Sequence, residues 1–385
     1  MQERIYYKDN YLTEFDAKVM DCINDNGLIK VVLNDTAFYP EGGGQKADIG
    51  KIDDVNVIDV QEKNGIVYHT VDKEIEIGKE VKCKVDFETR FSNMQHHTAE
   101  HIVSGLVCSK YNAENVGFHM GKDAVTIDFN VLLNKEQLME IEQLSNEAVF
   151  KNVPIKVTNY TKEEASKIKY RSKKELEGII RIVEIPGYDI CACCGIHVAR
   201  TGEIGIIKLL DVEKYKSGCR VSLLCGKKAL GNYNNIYNQI DETSTLLSVK
   251  HNEIIDNVKE LLDKNNELKH QNLYLKYQMF DMEISNKNID ENQFIVKEKL
   301  EPSEMKVFCT KLQDKALDIS GVFSKENDEL YRFQIMSKKS DLKPLAQRMI
   351  SEYNGKGGGS NNLIQGQLNI TDEQVNEIID KNLLI

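Results

Sequence analysis

No stretch of this sequence approaches eighteen consecutive apolar residues, so nothing in it reads as a membrane span. An excess of basic residues is also missing: 50 Lys and Arg against 61 Asp and Glu leave a net charge of −11. That excludes a generally adhesive nucleic-acid binder and confines any RNA contact to local patches. The opening residues, MQERIYYKDNYLTEF, lack the basic start and apolar core of a secretory signal. Histidine is scarce, at eight residues, so any spacing that several of them share carries weight. Cysteines number nine, an odd count, with three crowded into CACC at 191–194. Such usage fits a reducing cytoplasm and a thiolate metal ligand, not a disulfide framework. What is present fits a globular chain: 385 residues, 41% hydrophobic and 29% charged, is enough for two or three domains.

The pattern along the chain predicts an α+β, multidomain protein. Residues 1–90 alternate short β-type runs (LIKVVLND, KIDDVNVIDVQ, IVYHTV, EVKCKVDF) with turns, the pattern of a small β-barrel-like domain. Interrupting it is FYPEGGGQKADIG, Phe38 to Gly50. Three consecutive glycines supply no side chains to pack, so they form either a wide turn or a backbone surface that something approaches closely. Residues 91–235 predict an α/β unit, with helical spacing in HHTAEHIVSGLVCSKY and KEQLMEIEQLSNEAVFKN. A further helix is expected through KEEASKIKYRSKKELEGI, with Lys167, Lys169, Arg171, Lys173 and Lys174 on a solvated or RNA-facing side. Between 236 and 295 a long helical linker is expected. Leu247, Ile254, Leu261, Leu268, Leu275 and Met282 recur every seven residues, and His251, Val258, Asn265, Asn272 and Met279 follow as the second seam. This coiled-coil-like spacing implies either a homodimer through 247–282 or a hairpin within the chain. Residues 296–385 predict a small α/β domain carrying a second glycine cluster, GKGGGSNNLIQGQ, within a locally basic segment suited to phosphate oxygens.

Two clusters carry chemistry. His97 and His101, in HTAEH, share one face of a helix, and Cys193 and His197, in CCGIH, repeat the four-residue spacing. Two such pairs of borderline-soft donors are what tetrahedral Zn²⁺ prefers. The first string also satisfies HxxEH, in which Glu100 would be the general base of a zinc peptidase. Cys193 and His197 argue against that, because such peptidases take a carboxylate there. His96 is expected to be a neighbour, not a ligand. Cys191 and Cys194 flank the cluster as small thiols.

In combination, FYPEGGGQKADIG, HHTAEH, CCGIHVARTGEIG and GKGGGSNN occur in the order found in the editing half of alanyl-tRNA synthetase. The sequence resembles the freestanding alanyl-tRNA editing proteins of the AlaX type, in their long form with a C-terminal DHHA1-like domain, over essentially its whole length. The resemblance implies a cytoplasmic, zinc-dependent hydrolase that serves translation fidelity by deacylating tRNA(Ala) mischarged with serine or glycine, its C-terminal domain binding tRNA and sharing in the homodimer. The rivals are the zinc peptidase and a non-catalytic RNA-binding dimer with structural zinc. With about 35 residues before the glycine loop, no room is expected for an amino-acid-activating domain. Carried over by position, the resemblance makes His97, His101, Cys193 and His197 the zinc ligands. It makes Gly42, Gly43, Gly44 and Gln45 the lining of the pocket for the aminoacylated 3′ end. Arg220 resembles a position beside the active-site sheet, where it meets a phosphate or a structural carboxylate. His119 lies in a string, GFHMGKD, that recurs near the pocket. A site that hydrogen-bonds the seryl hydroxyl leaves its polar groups unpaired with alanine, which can discriminate by ~10⁴. Thr98 and Gln45 are the expected partners of that hydroxyl, and together with Glu100 they form the expected catalytic set. Departures from the family pattern are Cys194 and Ile196 within CCGIH, and Glu100 where a threonine is common. Four protein ligands close a zinc shell, so either one is loose or zinc orients the ester while another group handles water.

Overall fold

The computed structural model describes residues 2–25, 27–172, 178–285 and 291–382. The chain divides into two compact units, Met1–Thr243 and Ser244–Ile385, with mixed α/β content in both.

In the first unit, six strands close into a barrel, ordered Glu14–Asp25, Leu28–Leu33, Ile66–Val71, Val55–Lys63, Gly50–Ile52 and Glu80–Val85. Alternation dictates its interior: Val81, Cys83 and Val85 are buried while Glu80, Lys82 and Lys84 face out. The run KIDDVNVIDVQ is not one strand but a hairpin, turned at Asp53, whose φ is +51°. His69 lies inside the barrel, its Nδ1 3.0 Å from the Val31 carbonyl and its Nε2 2.8 Å from Thr36 Oγ1.

Helix α1 (Phe87–Tyr111) follows directly. Asp86 caps its start by accepting from the Thr89 amide at 3.0 Å, and Asn112 ends it in the left-handed region. Met94, Ala99, Ile102, Val103 and Val107 bury one stripe in the core of the α/β part. Against α1 lie a four-stranded antiparallel sheet and a three-stranded one. The four-stranded sheet runs Ile207–Tyr215, Gly218–Cys225, Val125–Phe129, Asn115–Met120, and the three-stranded one runs Lys156–Tyr160, Ile180–Ile185, Asp189–Ala192. Helix α2 (Lys135–Lys151) starts on an Asn134/Gln137 capping box. A buried ion pair ties α1 to the barrel: the guanidinium of Arg90, fully enclosed, binds Asp48 and the carbonyls of Leu12 and Ala37.

Two expectations fail, one in this unit and one where the second unit begins. The helix expected from residue 162 is a single turn, α3 (Lys162–Ala165), and Arg171 instead bridges to Cys191 in extended form. Lys173 and Lys174 lie outside the described residues. The expected helical linker is also not continuous. Helix α4 (Gly226–Leu247) ends on Ser248, whose φ is +55°, and a 3₁₀ turn at His251–Glu253 precedes helix α5 (Ile254–Ser285). Leu247 and His251 therefore do not belong to the helix that carries the rest of the seven-residue series. On α5, Leu261, Leu268, Leu275 and Met282 are each more than half exposed, while Phe280 and Ile284 pack into the core of the second unit.

That unit holds a five-stranded sheet ordered Gln293–Glu298, Ile319–Asn327, Leu330–Ser337, Leu363–Leu368, Lys356–Gly359, with only the first pair parallel. Helices α6 (Pro302–Lys315), α7 (Lys343–Glu352) and α8 (Asp372–Asn382) complete it. The second glycine cluster is not a loop. Lys356–Gly359 forms the edge strand, paired antiparallel to Leu363–Leu368. Among the described residues, no helix is long and apolar enough to cross a membrane.

Candidate metal centre

His97, His101, Cys193 and His197 come together, with one ligand atom from each within 4.8 Å of the others. The histidines are fully enclosed, on α1 and on the loop after Asp189–Ala192. Each ring is held from behind through Nδ1, and by a different partner. His97 Nδ1 lies 2.7 Å from Gln45 Oε1 in the glycine loop. His101 Nδ1 lies 2.9 Å from Asp189 Oδ2, and His197 Nδ1 lies 3.2 Å from Thr98 Oγ1. Such outer partners fix ring orientation and leave Nε2 as the ligating atom. The Nε2 of His197 is buried with no hydrogen-bond partner, and Cys193 Sγ approaches His97 Nε2 at 3.4 Å. A buried orphan nitrogen beside a thiolate and two more imidazoles is a donor set that fits a divalent metal of borderline softness.

The electrostatics of the donors differ: burial alone would lower His101, but Cys193 and Asp189 hold it well above the ordinary imidazole range. Burial alone would raise the Cys193 thiol, but His97 and His101 hold it well below the ordinary thiol range. Burial pushes His197 down to about 3, keeping the ring neutral as a ligand must be. Asp189 is buried, yet His101 and the two-pronged Arg171 contact, at 2.7 and 2.8 Å, keep its carboxyl below the usual range.

The loop that supplies Cys193 and His197 is clamped from several sides. Arg181 Nη1 donates to the Cys193 and Gly195 carbonyls at 2.7 and 2.8 Å, and Tyr7 donates to the Cys194 carbonyl at 2.9 Å. Asn10 Nδ2 donates to the His197 carbonyl. Gly195 is required by proximity: a Cβ there would lie 2.0 Å from His97 Cε1. Gly44 has φ +87° and would collide with Phe118, whose ring stacks on His97 at 5.1 Å between centroids.

His97, His101 and the 191–194 segment line a cavity of about 490 Å³ together with Gly43, Gly44, Gly117, Phe118, Glu100 and Arg171, and His197 is not on its lining. Several expected site residues are placed elsewhere. Thr98 and Gln45 are not on the lining: Thr98 Oγ1 faces His197 and Gln45 Oε1 faces His97. Thr98 Oγ1 donates to the Met94 carbonyl and receives the Val198 amide, while Gln45 Oε1 also receives the Ile196 amide. Gly42 pairs with Gln45 behind the wall. Arg220 is off the lining as well, in a bidentate pair with Asp128 at 2.7 and 2.9 Å and stacked on Tyr215. His96 is buried, and its Nε2 receives the Cys225 amide. His119 is exposed on its strand. The sequence reading missed Asp189, Arg171 and Phe118, whose roles depend on strand pairing and not on spacing.

Two segments that contribute to this centre match known families, and His97 and His101 lie between them. Residues 180–222, which hold Cys193 and His197, match the family described as "Threonyl and Alanyl tRNA synthetase second additional domain". Residues 5–89 match "tRNA synthetases class II (A)". Alanyl-tRNA editing protein AlaX-L of Pyrococcus horikoshii is 31% identical over 98% of this chain and 97% of its own. The chain belongs to the alanyl-tRNA editing protein family. Alanine–tRNA ligases match too: that of Methanococcus maripaludis is 30% identical over 98% of this chain, and that of Thermofilum pendens 29% over 97%. The chain spans 43% of the length of each of these two ligases. The C-Ala domain from Aquifex aeolicus alanyl-tRNA synthetase matches 23% of this chain and 84% of its own, at 24% identity and a TM-score of 0.21, too slight a likeness to carry an argument. In this member of the editing family, His97, His101 and Cys193 of the cluster line the cavity beside Gly43 and Gly44 of the glycine loop.

Proposed function

We propose that this protein is an aminoacyl-tRNA hydrolase that edits tRNA(Ala) mischarged with serine, and secondarily with glycine, at a zinc ion held by His97, His101, Cys193 and His197. The observation that carries this reading is the cavity lined by His97, His101 and Cys193, with His197 completing the donor cluster off that lining. Zinc, when bound, would polarise the ester carbonyl or lower the pKa of a water molecule.

The chain's own residues do the positioning. Gln45, Asp189 and Thr98 keep the three rings aimed at one point, a preorganisation that leaves little to rearrange when substrate arrives. Gly43, Gly44 and Gly117 leave one wall without side chains, so a terminal ribose and its ester can approach backbone. Phe118, stacked on His97, gives the cavity an apolar face. Gln45 and Thr98 thus act by positioning ligands, in place of the direct contact with the seryl hydroxyl expected from sequence. Gly42 and Arg220 support the loop and the sheet.

A peptidase reading of HxxEH has less support. The donors completing the cluster are Cys193 and His197, and the nearby carboxylate of Asp189 serves the back of His101. A purely structural zinc would sit in a closed site, whereas this cluster opens on a cavity. Exposed Leu261, Leu268, Leu275 and Met282 on α5 support a homodimer through that helix.

The test is deacylation of Ser-tRNA(Ala), Gly-tRNA(Ala) and Ala-tRNA(Ala) by the purified protein, with a chelator-treated sample alongside. Metal-dependent loss of the seryl ester with the alanyl ester spared supports the reading. No turnover of any ester would reject it.

A further inference from the structure

We propose that Glu100 reads the free α-ammonium group of the substrate ester, so that the site accepts aminoacyl-tRNA and leaves N-blocked esters, such as peptidyl-tRNA, intact. This deepens the editing reading and rests on it.

Among the described residues that line the cavity, Glu100 is the only carboxylate. It is 3% exposed, so it does not point to bulk solvent as a surface glutamate would. One of its oxygens is fixed: Oε1 receives Ser104 Oγ at 2.8 Å, one helical turn away, and Asn115 Nδ2 from the neighbouring strand. The other, Oε2, receives no hydrogen bond from any described residue, and it lies 3.8 Å from His101 Nε2. A buried carboxylate with one oxygen anchored and the other open to a cavity is an incomplete ion pair, and such an arrangement favours a cation supplied by the ligand.

Every aminoacyl ester supplies one. Its α-ammonium is attached one carbon from the ester carbonyl, so a carbonyl held at the metal cluster brings the ammonium to the immediate neighbours of the ligand histidines. Glu100 lines the same cavity as His101, with its Oε2 3.8 Å from His101 Nε2, and is that neighbour. It is not part of the set of ligand atoms that close within 4.8 Å, which leaves it free for substrate. Arg171, the other charged side chain on the lining apart from the ligands, is already paired with Asp189 and offers no acceptor. An acyl chain on the α-nitrogen removes the positive charge and adds bulk next to a wall formed by Glu100 and His101, so peptidyl esters lose on both counts.

The experiment compares Ser-tRNA(Ala) with N-acetyl-Ser-tRNA(Ala) as substrates of the full-length, zinc-loaded protein and of Glu100→Gln and Glu100→Asp. For the unaltered protein, kcat/KM should favour the free-amine ester by about ten- to a hundredfold, the range of one charge-assisted hydrogen bond. Glu100→Gln should bring that ratio close to one, with the loss falling on the free-amine ester, and Glu100→Asp should restore part of it. Circular dichroism and zinc content are checked for each variant. Equal proportional losses on both esters would overturn the proposal and make Glu100 a base or a brace. Hydrolysis of both esters at equal rates by the unaltered protein would overturn it without any variant. No hydrolysis of either ester would instead reject the editing reading itself.

Discussion

Asp189 holds His101 from behind: its Oδ2 lies 2.9 Å from Nδ1 of that ring while Arg171 grips both carboxylate oxygens. The carboxylate therefore fixes the tautomer, and Arg171 fixes the carboxylate. Asp189→Asn keeps the shape and removes the charge. We expect metal affinity to fall by about ten- to a hundredfold, the usual effect of removing an outer partner of a ligand. Competition with a fluorescent chelator measures it, and affinity equal to that of the unaltered protein would show the contact to be incidental.

Cys193→Ala removes one donor from the cluster but touches neither the barrel nor the α/β core. It should stay folded by circular dichroism and lose both bound metal and deacylation. A variant that fails to fold would make the metal structural.

The stripe on α5 predicts oligomerisation. Leu268→Glu with Leu275→Glu places two charges on exposed positions that contribute to no described core. Sedimentation should show a dimer for the unaltered protein and a monomer for the double variant. A protein that sediments as a monomer from the start contradicts a dimer built on this helix.

Acid should weaken the barrel through His69. Burial lowers its pKa to about 4, against about 6.5 in an unfolded chain. Between those values the unfolded state binds the extra proton, so stability is present above about pH 6.5 and is lost as pH falls towards 4. The loss amounts to roughly 3 kcal/mol by the end of that window. Denaturant titrations at pH 7.5 and 5 should show it, with a flatter dependence for His69→Asn. Identical slopes for the two proteins would assign the acid sensitivity to other groups.

Much of the fold and of the centre is legible in the amino-acid sequence. The barrel strands announce themselves through period-two alternation, and the HTAEH and CCGIH spacings name four donors that do converge. Residues that act through chain pairing are not legible. Asp189 meets His101 only because its strand lies against α1, and nothing in local sequence separates it from a surface aspartate. Thr98 and Gln45 are recognisable as part of the site, but their direction is not: helical geometry turns Thr98 back onto the Met94 carbonyl, and strand-like pairing turns Gln45 onto His97. The break at Ser248 is hidden for the opposite reason. The seven-residue spacing of apolar residues continues across it, and a single left-handed residue leaves no periodic trace.

Gln45 joins the barrel's glycine loop to His97 and, through the Ile196 amide, to the segment holding the last two donors. Cys193 follows His97 by 96 positions. At ordinary rates of synthesis the histidines of α1 therefore wait roughly 5 to 20 seconds for their partners to leave the ribosome. The barrel can close in that interval, but the centre cannot. Any metal held by all four donors would thus be captured at the end of this unit's folding, and an ion bound earlier, by two histidines alone, would be held loosely enough to exchange.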